Sequence, residues 1–564
     1  MPASEIEEQV APDWPTCTAM GCTGIRLQGQ DRCLAHGDQS ARQAFLTALK
    51  PGADLDLRGT LIAADVMAAV FEAVKQDGTA RFGEARFERA TFSGGAKFEE
   101  AEFRGNAWFG GAVVNGVAWF NKTQFSKYAG FEGAQFSGDA GFDGAEFNED
   151  AEFDRAQFSG TASFKKAEFR KYAGFGEAEF DGDAGFNGAV FSGIAGFEGA
   201  QFRAARGLGP LIVKGELSLD QAAFWAPILI QVTASRLSLV GAGFQEAATL
   251  RVRFADITLD GAAFSKPSTI SFAESPFQML RGGELEDHAL EAGDRPRQPR
   301  LLSVRLADVS NLVQGGLDLS ACLFQGAHNL EKLRIEGPLE FDLTPAAPWQ
   351  LVVGCWRLPI WRWTRRQTLA EEHHRRAKES SSPGGESGAR LRRPSWNQPS
   401  MEKVDWVKDS TGQPVRTLKP ENLAALYRGL RKGLEDQKNA PGAADFYYGE
   451  MEMRRQSPTA PWSDRFVLWV YWLFSGYGLR ASRALVAFAV LVPLFAIGFW
   501  RWGLNQQLGY PSALLRSFES ATSLLRPASQ DLNEVGQLLD ILLRLIGATL
   551  LGLAVFSLRG RIKR

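Results

Sequence analysis

The chain has only five histidines in 564 residues, which leaves few side chains able to trade protons near neutral pH. No Gly-rich phosphate loop, no Ser/His/Asp set and no open metal site can be read from it. It is therefore expected not to be an enzyme. Cysteine is as sparse, at Cys17, Cys22, Cys33, Cys322 and Cys355. An odd count without an evenly spaced framework excludes the disulfide scaffold of a small secreted domain. The net charge of −2 excludes a generally basic nucleic-acid binder. Met1 to Pro15 is acidic and polar with no apolar run. No secretory signal is visible there, and the N-terminal bulk is expected on the cytosolic side. Tyrosine is rare as well: eight, against forty phenylalanines.

That excess of phenylalanine is ordered. Between Phe82 and Phe202 the ring recurs in steps that, after Phe87, alternate between five and six residues; Val114 fills the one missing slot. The true period is eleven, Phe-x-x-Ala-x-Phe-x-x-x-Ala-x. Ala stands two residues before 22 of the 23 centres, and only Thr123, before Phe125, departs from this. Neither helical periodicity nor strand alternation gives such spacing. A coiled solenoid does. Each short side points one large and one small residue inward, and Gly and Asp suit the corners between sides. One coil alone cannot bury its rings, but stacked coils share a continuous core. Further on, Leu217 to Phe224 recurs as Leu237 to Phe244 and Ile257 to Phe264, an offset of 20, and Leu317 to Phe324 follows 60 after Ile257. The wall is thus expected to reach about Phe341. Phe277 to Pro299 is polar and charged, and is expected as a loop extruded from the wall. From Phe82 to Phe202 there are 19 Asp/Glu and 11 Lys/Arg, a local charge of 11 − 19 = −8.

The Ala-x-Phe centres resemble pentapeptide-repeat proteins over roughly Pro51 to Phe341. The resemblance implies a mainly β fold, a right-handed quadrilateral β-helix with about four repeats per coil. The 20-residue offset is then four fives, and the eleven-residue period gives 22 per coil. Every phenylalanine in the series is expected to be core.

Cys17-x4-Cys22-x10-Cys33-x2-His36 gathers three thiols and an imidazole in one short stretch, the set a structural zinc ion takes in tetrahedral geometry. Four protein ligands leave no open position, so the zinc would be structural. Similar Cys-rich starts, followed by a segment like Pro51 to Gly59, are found in bacterial pentapeptide-repeat proteins. The resemblance implies that residues 1–45 form a zinc knuckle and N-terminal cap for a solenoid over 50–345.

Residues 346–378 are rich in Trp and Arg and read as an aromatic cap on the last coil or as an interfacial segment, with the cap favoured. Glu371, Glu372, His373 and His374 read as a solvated face. Residues 379–418 read as a Ser/Gly/Pro-rich linker. Within 419–457, Pro420 to Lys438 and Ala440 to Arg455 read as a helical hairpin. Its Ala444 to Arg455 is similar to the juxtamembrane segment of membrane-anchored pentapeptide-repeat proteins, and Asp445, Glu450 and Glu452 are expected at its surface. In 462–564, Ala484 to Trp502 and Leu538 to Leu558 are the two apolar runs of a transmembrane hairpin. Trp469, Tyr471, Trp472 and Tyr477 suit an aromatic belt before the first run. Arg480 and Arg483 before the first run, and Arg559, Arg561, Lys563 and Arg564 after the second, put both ends in the cytosol. Span, amphipathic connection and span together resemble a two-span ion-channel pore module with Ser512 to Leu525 as pore helix. Where a Thr-x-Gly-Tyr-Gly filter belongs, however, the chain reads Arg526-Pro-Ala-Ser-Gln. Asp540 and Arg544, four apart, are expected to pair at the outer interface.

Three functions are compatible with this sequence. The first is a membrane-anchored scaffold or protein-binding module, its partners the bilayer and a protein, with homo-oligomerisation open and nucleic acid not expected. The second is a subunit of an ion-channel-like protein with a degenerate pore. The third is the DNA mimicry that some pentapeptide-repeat proteins direct at type II topoisomerase; the −8 segment favours it and the hairpin disfavours it.

Overall fold

A computed structural model describes residues 12–279, 283–285, 296–344, 348–353, 356–361, 365–381, 417–503, 509–523 and 532–562; for 348–353, 356–361, 377–381 and 558–562 it describes the backbone alone. Cys355, Trp363, most of the expected linker, Arg526 to Gln530, and Lys563 and Arg564 lie outside the described residues. The chain divides into two compact units, Met1–Asp342 and Leu343–Arg564.

The first unit is a β-solenoid of about eleven turns. One coil contributes the two-residue strands Gln124–Phe125, Ala129–Gly130, Gln135–Phe136 and Ala140–Gly141. Each pairs in parallel with its equivalent in the next coil: Phe125 with Phe147, Ala129 with Ala151, Phe136 with Phe158, Ala140 with Ala162. The alternation of five and six comes from two kinds of corner. In Phe-x-x-Ala corners the Ala N–H donates to the Phe carbonyl, as from Ala134 to Phe131 at 3.0 Å. The third residue there has positive φ, the signature of a type II turn. Such residues recur every eleven positions from Arg89 through Gly133 to Gly199, and five of the eleven are glycine. The other corner has one residue more.

Inside, the rings form columns. Phe125, Phe147 and Phe169 stack at 4.8 and 4.7 Å, within 4° of parallel. Neighbouring columns meet edge to face, as Phe131 and Phe142 do at 5.5 Å and 86°. Thr123, the exception among the alanines, is fully buried, and its hydroxyl donates to the Phe98 carbonyl at 2.6 Å. Past Phe202 the pitch shortens. Leu208 pairs with Ile230, 22 on; Ile212 with Thr233, 21 on; Leu217 with Leu237, 20 on, across two register shifts. The shorter pitch then holds through Phe224, Phe244 and Phe264.

Helix α1, Gln39–Ala48, precedes the wall, and helix α2, Ala64–Ala73, interrupts its first coil, so that Leu61 meets its parallel partner only at Thr91. From α2, Phe71 packs on Phe82 and Phe98 at 5.5 and 5.2 Å, closing the open end of the aromatic core. The expected extruded loop is only partly so. Strand Ser268–Phe272 pairs with Leu312–Gly315, so the chain does leave the wall between them. Phe277 and Leu285 nevertheless pack back on Ile212, Phe254 and Ala273, because apolar side chains on an excursion still gain by burial.

Among the described residues the second unit is helical, apart from a backbone hairpin of Pro348–Val353 with Trp356–Trp361 and the short strand Gln367–Thr368. Its helices are α3, Ala370–Ser381; α4, Pro420–Asp436; α5, Ala440–Gln456; α6, Trp462–Ser475; α7, Ala481–Gly498, continued by a π-turn Phe499–Gly503; α8, Tyr510–Thr522; and α9, Glu534–Ile562.

The core lattice makes a quantitative prediction. Phe147 is fully buried between two stacked rings. Phe147→Ala is expected to cost about 3–5 kcal/mol, whereas Glu146→Ala, which loses only a 3.7 Å surface ion pair with Arg170, should change stability by about 0.5 kcal/mol or less. Thermal unfolding of the two variants checks this; equal melting temperatures would refute the inward assignment.

Candidate functional site

At the N-terminal end, a short chain reversal brings the expected ligands together. The ligand atoms of Cys17, Cys22, Cys33 and His36 all lie within 4.8 Å of one another. His36 Nδ1 is 3.4 Å from Cys33 Sγ and 3.7 Å from Cys17 Sγ, and the Cys22 and Cys33 sulfurs are 3.7 Å apart. The Gly24 N–H donates to Cys22 Sγ at 3.4 Å. Burial pushes the Cys33 thiol up to about 12, against the pull of the His36 N–H. At Cys17 burial also acts upward, but donors at Ala19 and Cys33 bring it down to about 7. Sulfurs this close repel as thiolates, and a cation among them would relieve that repulsion; the donor set fits a metal ion. The cluster is seated on the first coil: the Ile25 N–H donates to Arg58 O at 2.8 Å, and the Arg58 guanidinium lies 5.0 Å from the Trp14 ring.

On the solenoid wall, much of the acidic surface is occupied. Asp139, Asp143, Asp150 and Asp154 each accept a backbone N–H from the residue 22 further on, at 2.8, 3.0, 3.2 and 2.6 Å. These carboxylates stitch one coil to the next.

A site that sequence reasoning missed lies in the helical unit. Arg366 is buried and bonds Glu372 at 2.6 Å; the Tyr427 hydroxyl donates to the same carboxylate at 2.6 Å and accepts from the Leu369 N–H at 3.0 Å. Arg376 binds the other Glu372 oxygen at 2.8 Å and lies 3.7 Å from Glu452. Glu452 also holds Arg455 at 2.7 Å and accepts from Tyr477 at 3.2 Å. Trp472 sits between the guanidinium groups of Arg455 and Arg483, at 4.8 and 5.1 Å, and its N–H donates to Tyr448 at 2.9 Å. Nearby, Glu450 is ringed by Arg454, Arg428 and Arg431 at 2.6, 3.0 and 3.2 Å.

Several expectations are thereby corrected. Glu371, Glu372 and His373 are not on a solvated face but buried, and Glu450 and Glu452 are not surface groups. The part of the Trp/Arg-rich segment from Arg366 to Arg376 is largely buried within the helical unit. Tyr477 and Trp472 serve the network and do not stand free in a belt. The cause is shared by Glu372, Glu450 and Glu452: each meets arginines of its own helix and from elsewhere in the unit, as Glu372 meets Arg376 and Arg366 and Glu450 meets Arg454 and Arg428. Burial acts to raise the Glu372 carboxyl, but Arg366 and Arg376 hold it well below the usual carboxylate range. At His374 burial, with His373 beside it, brings the imidazole down to about 4, so it is neutral at physiological pH. One signal was available. Gly449 sits inside α5, where a Cβ would come 2.6 Å from the Tyr427 ring, so α4 and α5 touch at a residue without a side chain.

Helices α7, α8 and α9 form the third arrangement. α8 starts beside Trp500, with Tyr510 at 6.1 Å, and runs inward. Ser517 donates to the Val492 carbonyl at 2.7 Å, and a Cβ on Gly547 would lie 2.5 Å from Ala521 O. Ser520 donates to Asp540 at 2.5 Å, and Asp540 pairs with Arg544 at 2.7 Å. The expected pair exists, and Asp540 is 2% exposed, packed under α8. The α8 range also starts and ends earlier than the expected pore helix.

The buried network predicts the outcome of charge removal. Glu372→Gln leaves Arg366 without its counter-ion and is expected to cost about 3–5 kcal/mol; Glu435→Gln, at an exposed pair with Arg431, should fall within about 0.5 kcal/mol. Because the folded Glu372 is depressed, its contribution is complete above the unfolded carboxylate value and is lost only as pH falls through the folded one. Thermal melts of the detergent-solubilised chain at pH 7 and at stepwise lower pH check both statements.

In comparisons with known proteins, the family model described as Pentapeptide repeats (9 copies) matches residues 79–124, 120–168 and 164–206. No curated protein matches the chain. No solved structure matches it either. The matched segments, residues 79–206, cover the aromatic lattice of the first unit, which over that stretch is similar to pentapeptide repeats.

Proposed function

We propose that the chain is a membrane-anchored scaffold, a protein-binding pentapeptide-repeat rod held at the cytosolic face by its C-terminal helices. One observation carries the reading. Ala481–Gly503 and Glu534–Ser557 are each long and apolar enough to cross a bilayer. Both also leave their apolar side chains uncovered: Val490 is 63% exposed, Leu494 61%, Leu538 59% and Phe556 73%. A core helix of a soluble protein would bury that face. The basic flanks then place both termini in the cytosol, and with them the solenoid and its partner, which is a protein; a second copy is the alternative. The reading involves no catalysis and no nucleic acid, in keeping with the aspartates committed to backbone N–H groups.

The Cys3His cluster in this reading holds zinc as a structural ion that fixes the first coil. The full-length chain, purified under reducing conditions, is expected to carry about one equivalent of zinc, lost in Cys33→Ser. Elemental analysis that finds no metal in the wild-type chain would remove zinc from the account.

A second reading, a subunit of an ion-channel-like protein with a degenerate pore, draws on α8. Val492 is eleven residues into α7 from Ala481, about 16 Å along a span whose hydrocarbon is roughly 30 Å thick. A helix that enters at Trp500 and reaches Val492 dips to mid-span as a pore helix does. Cation flux through reconstituted vesicles separates the two readings.

Topology tests the anchor itself. A reporter before Met1 and one after Arg564 should both read cytosolic. Ser529→Cys, between α8 and α9, should react with an impermeant thiol reagent on intact cells, while the native cysteines, cytosolic in this arrangement, stay unlabelled. Labelling of Ser529→Cys only after lysis would sink the hairpin.

A further inference from the structure

Helix α6 and the two apolar helices enclose a space that neither reading uses. It is a cleft of about 600 Å³, walled by Val470 and Phe474 of α6, Leu491 of α7, and Leu550 and Leu553 of α9. Two side chains on its wall carry a polar atom, and neither aims that atom at an occupant. The Thr549 hydroxyl donates to its own helix, at the Leu545 carbonyl, 2.7 Å away. The Tyr471 hydroxyl sits against Gly478 and faces Tyr447, so the cleft receives the ring. A water or a headgroup would find nothing to bond there.

We propose that this cleft binds the acyl chain of a phospholipid from the leaflet in which α7 begins and α9 ends. The proposal rests on the membrane-anchored reading. Three observations choose the occupant. Two of the three walls are the apolar helices themselves, so in a bilayer the cleft opens into hydrocarbon and not into water. Its lining is aliphatic and aromatic, which suits a chain of methylenes and offers a headgroup no partner. Its size excludes a helix from a second copy: two helical turns, about 11 Å long and roughly 10–12 Å across, take up on the order of 1,000 Å³. An extended acyl chain, one methylene wide, fits. The outer face of α6 adds to this. Trp462, Trp469 and Leu473 are exposed at helical spacing, so the helix that covers the chain is itself apolar on the side away from the cleft.

The test uses the full-length chain in nanodiscs of phosphatidylcholine containing a minor fraction of phosphatidylcholine with a photoactivatable diazirine in the acyl chain. After irradiation, mass spectrometry maps the adducts. The expected result is adducts concentrated on Phe466 to Phe474 and Leu545 to Leu553, in excess over those on the open face of α7 at Val486, Val490 and Leu494. Leu550→Trp and Val470→Trp, which fill the cleft from opposite walls, should each reduce the excess to the level of the open face; Val486→Trp should leave it unchanged. Adducts spread evenly over all apolar faces, or an excess that survives both filling variants, would overturn the site. Adducts joining α6 to a neighbouring chain would overturn it in favour of self-association. A chain that fails to enter nanodiscs would overturn the anchored reading, and the site with it, and is told apart from the other outcomes by the absence of any lipid adduct.

Discussion

The spacing of parallel backbone is the constraint on which the first unit depends. Hydrogen-bonded strands lie about 4.8 Å apart, a spacing within the range of centroid distances for offset-stacked aromatic rings. A phenylalanine repeated once per coil therefore falls on its predecessor with no adjustment; Phe131 on Phe153 and Phe147 on Phe169 are both 4.7 Å apart and within 1° of parallel. Adjacent columns meet edge to face, so the four columns hold one another at fixed angles. The alanine two residues earlier leaves the wall room to turn. Where rings give way to Leu208, Leu219 and Leu239, the coil also shortens, since Leu208 still pairs with Ile230 but Leu217 already with Leu237. The smaller side chain needs a narrower interior, and the two register shifts after Leu208 and Val213 take up the difference.

The same geometry explains the acidic character of the wall. A carboxylate at a corner reaches the N–H of the next coil, so its charge is partly spent on the ladder, as between Asp143 and Lys165 or Asp220 and Val240. Charge counting alone cannot tell such a group from one that faces a partner. The −8 segment looked like a recognition surface in the sequence, and in the structure Asp139, Asp143, Asp150 and Asp154 of that segment are joints between coils.

Legibility follows from periodicity. Phe147, Ala145 and the recurring Leu217, Leu237 and Ile257 segments could be read because each position repeats its environment, and every repeat counts as evidence. The gathering of Cys17, Cys22, Cys33 and His36 could be read because the four lie close in sequence. Arg366 and Tyr427, like Arg376 and Glu452, are far apart in the chain, and neither pair repeats. A lone charged residue reads as surface by default, and that default fails where two charges from distant helices bury each other. Helix α2 was missed for a related reason. It occurs once, inside the first coil, and the lattice that it closes begins after it.

The buried network is not a store of stability. Desolvating Arg366, Glu372 and Glu452 costs several kcal/mol for each ion by typical estimates, and apolar side chains of similar volume could replace them at no loss. What apolar side chains could not supply is direction. A helix in hydrocarbon gains nothing by turning one apolar face or another toward its neighbours, since lipid is as apolar as leucine. On the membrane-anchored reading, the orientation of α7 is set by contacts outside the hydrocarbon. Arg455 and Arg483 hold Trp472 between them, Arg455 and Glu452 hold Tyr477, and Arg483 also donates to the Trp472 carbonyl at 2.9 Å. Arg483 is itself in the first turn of α7. The polar contacts thus end on the helix whose entry angle they define, and the cost of burying them is met where a fixed angle is needed.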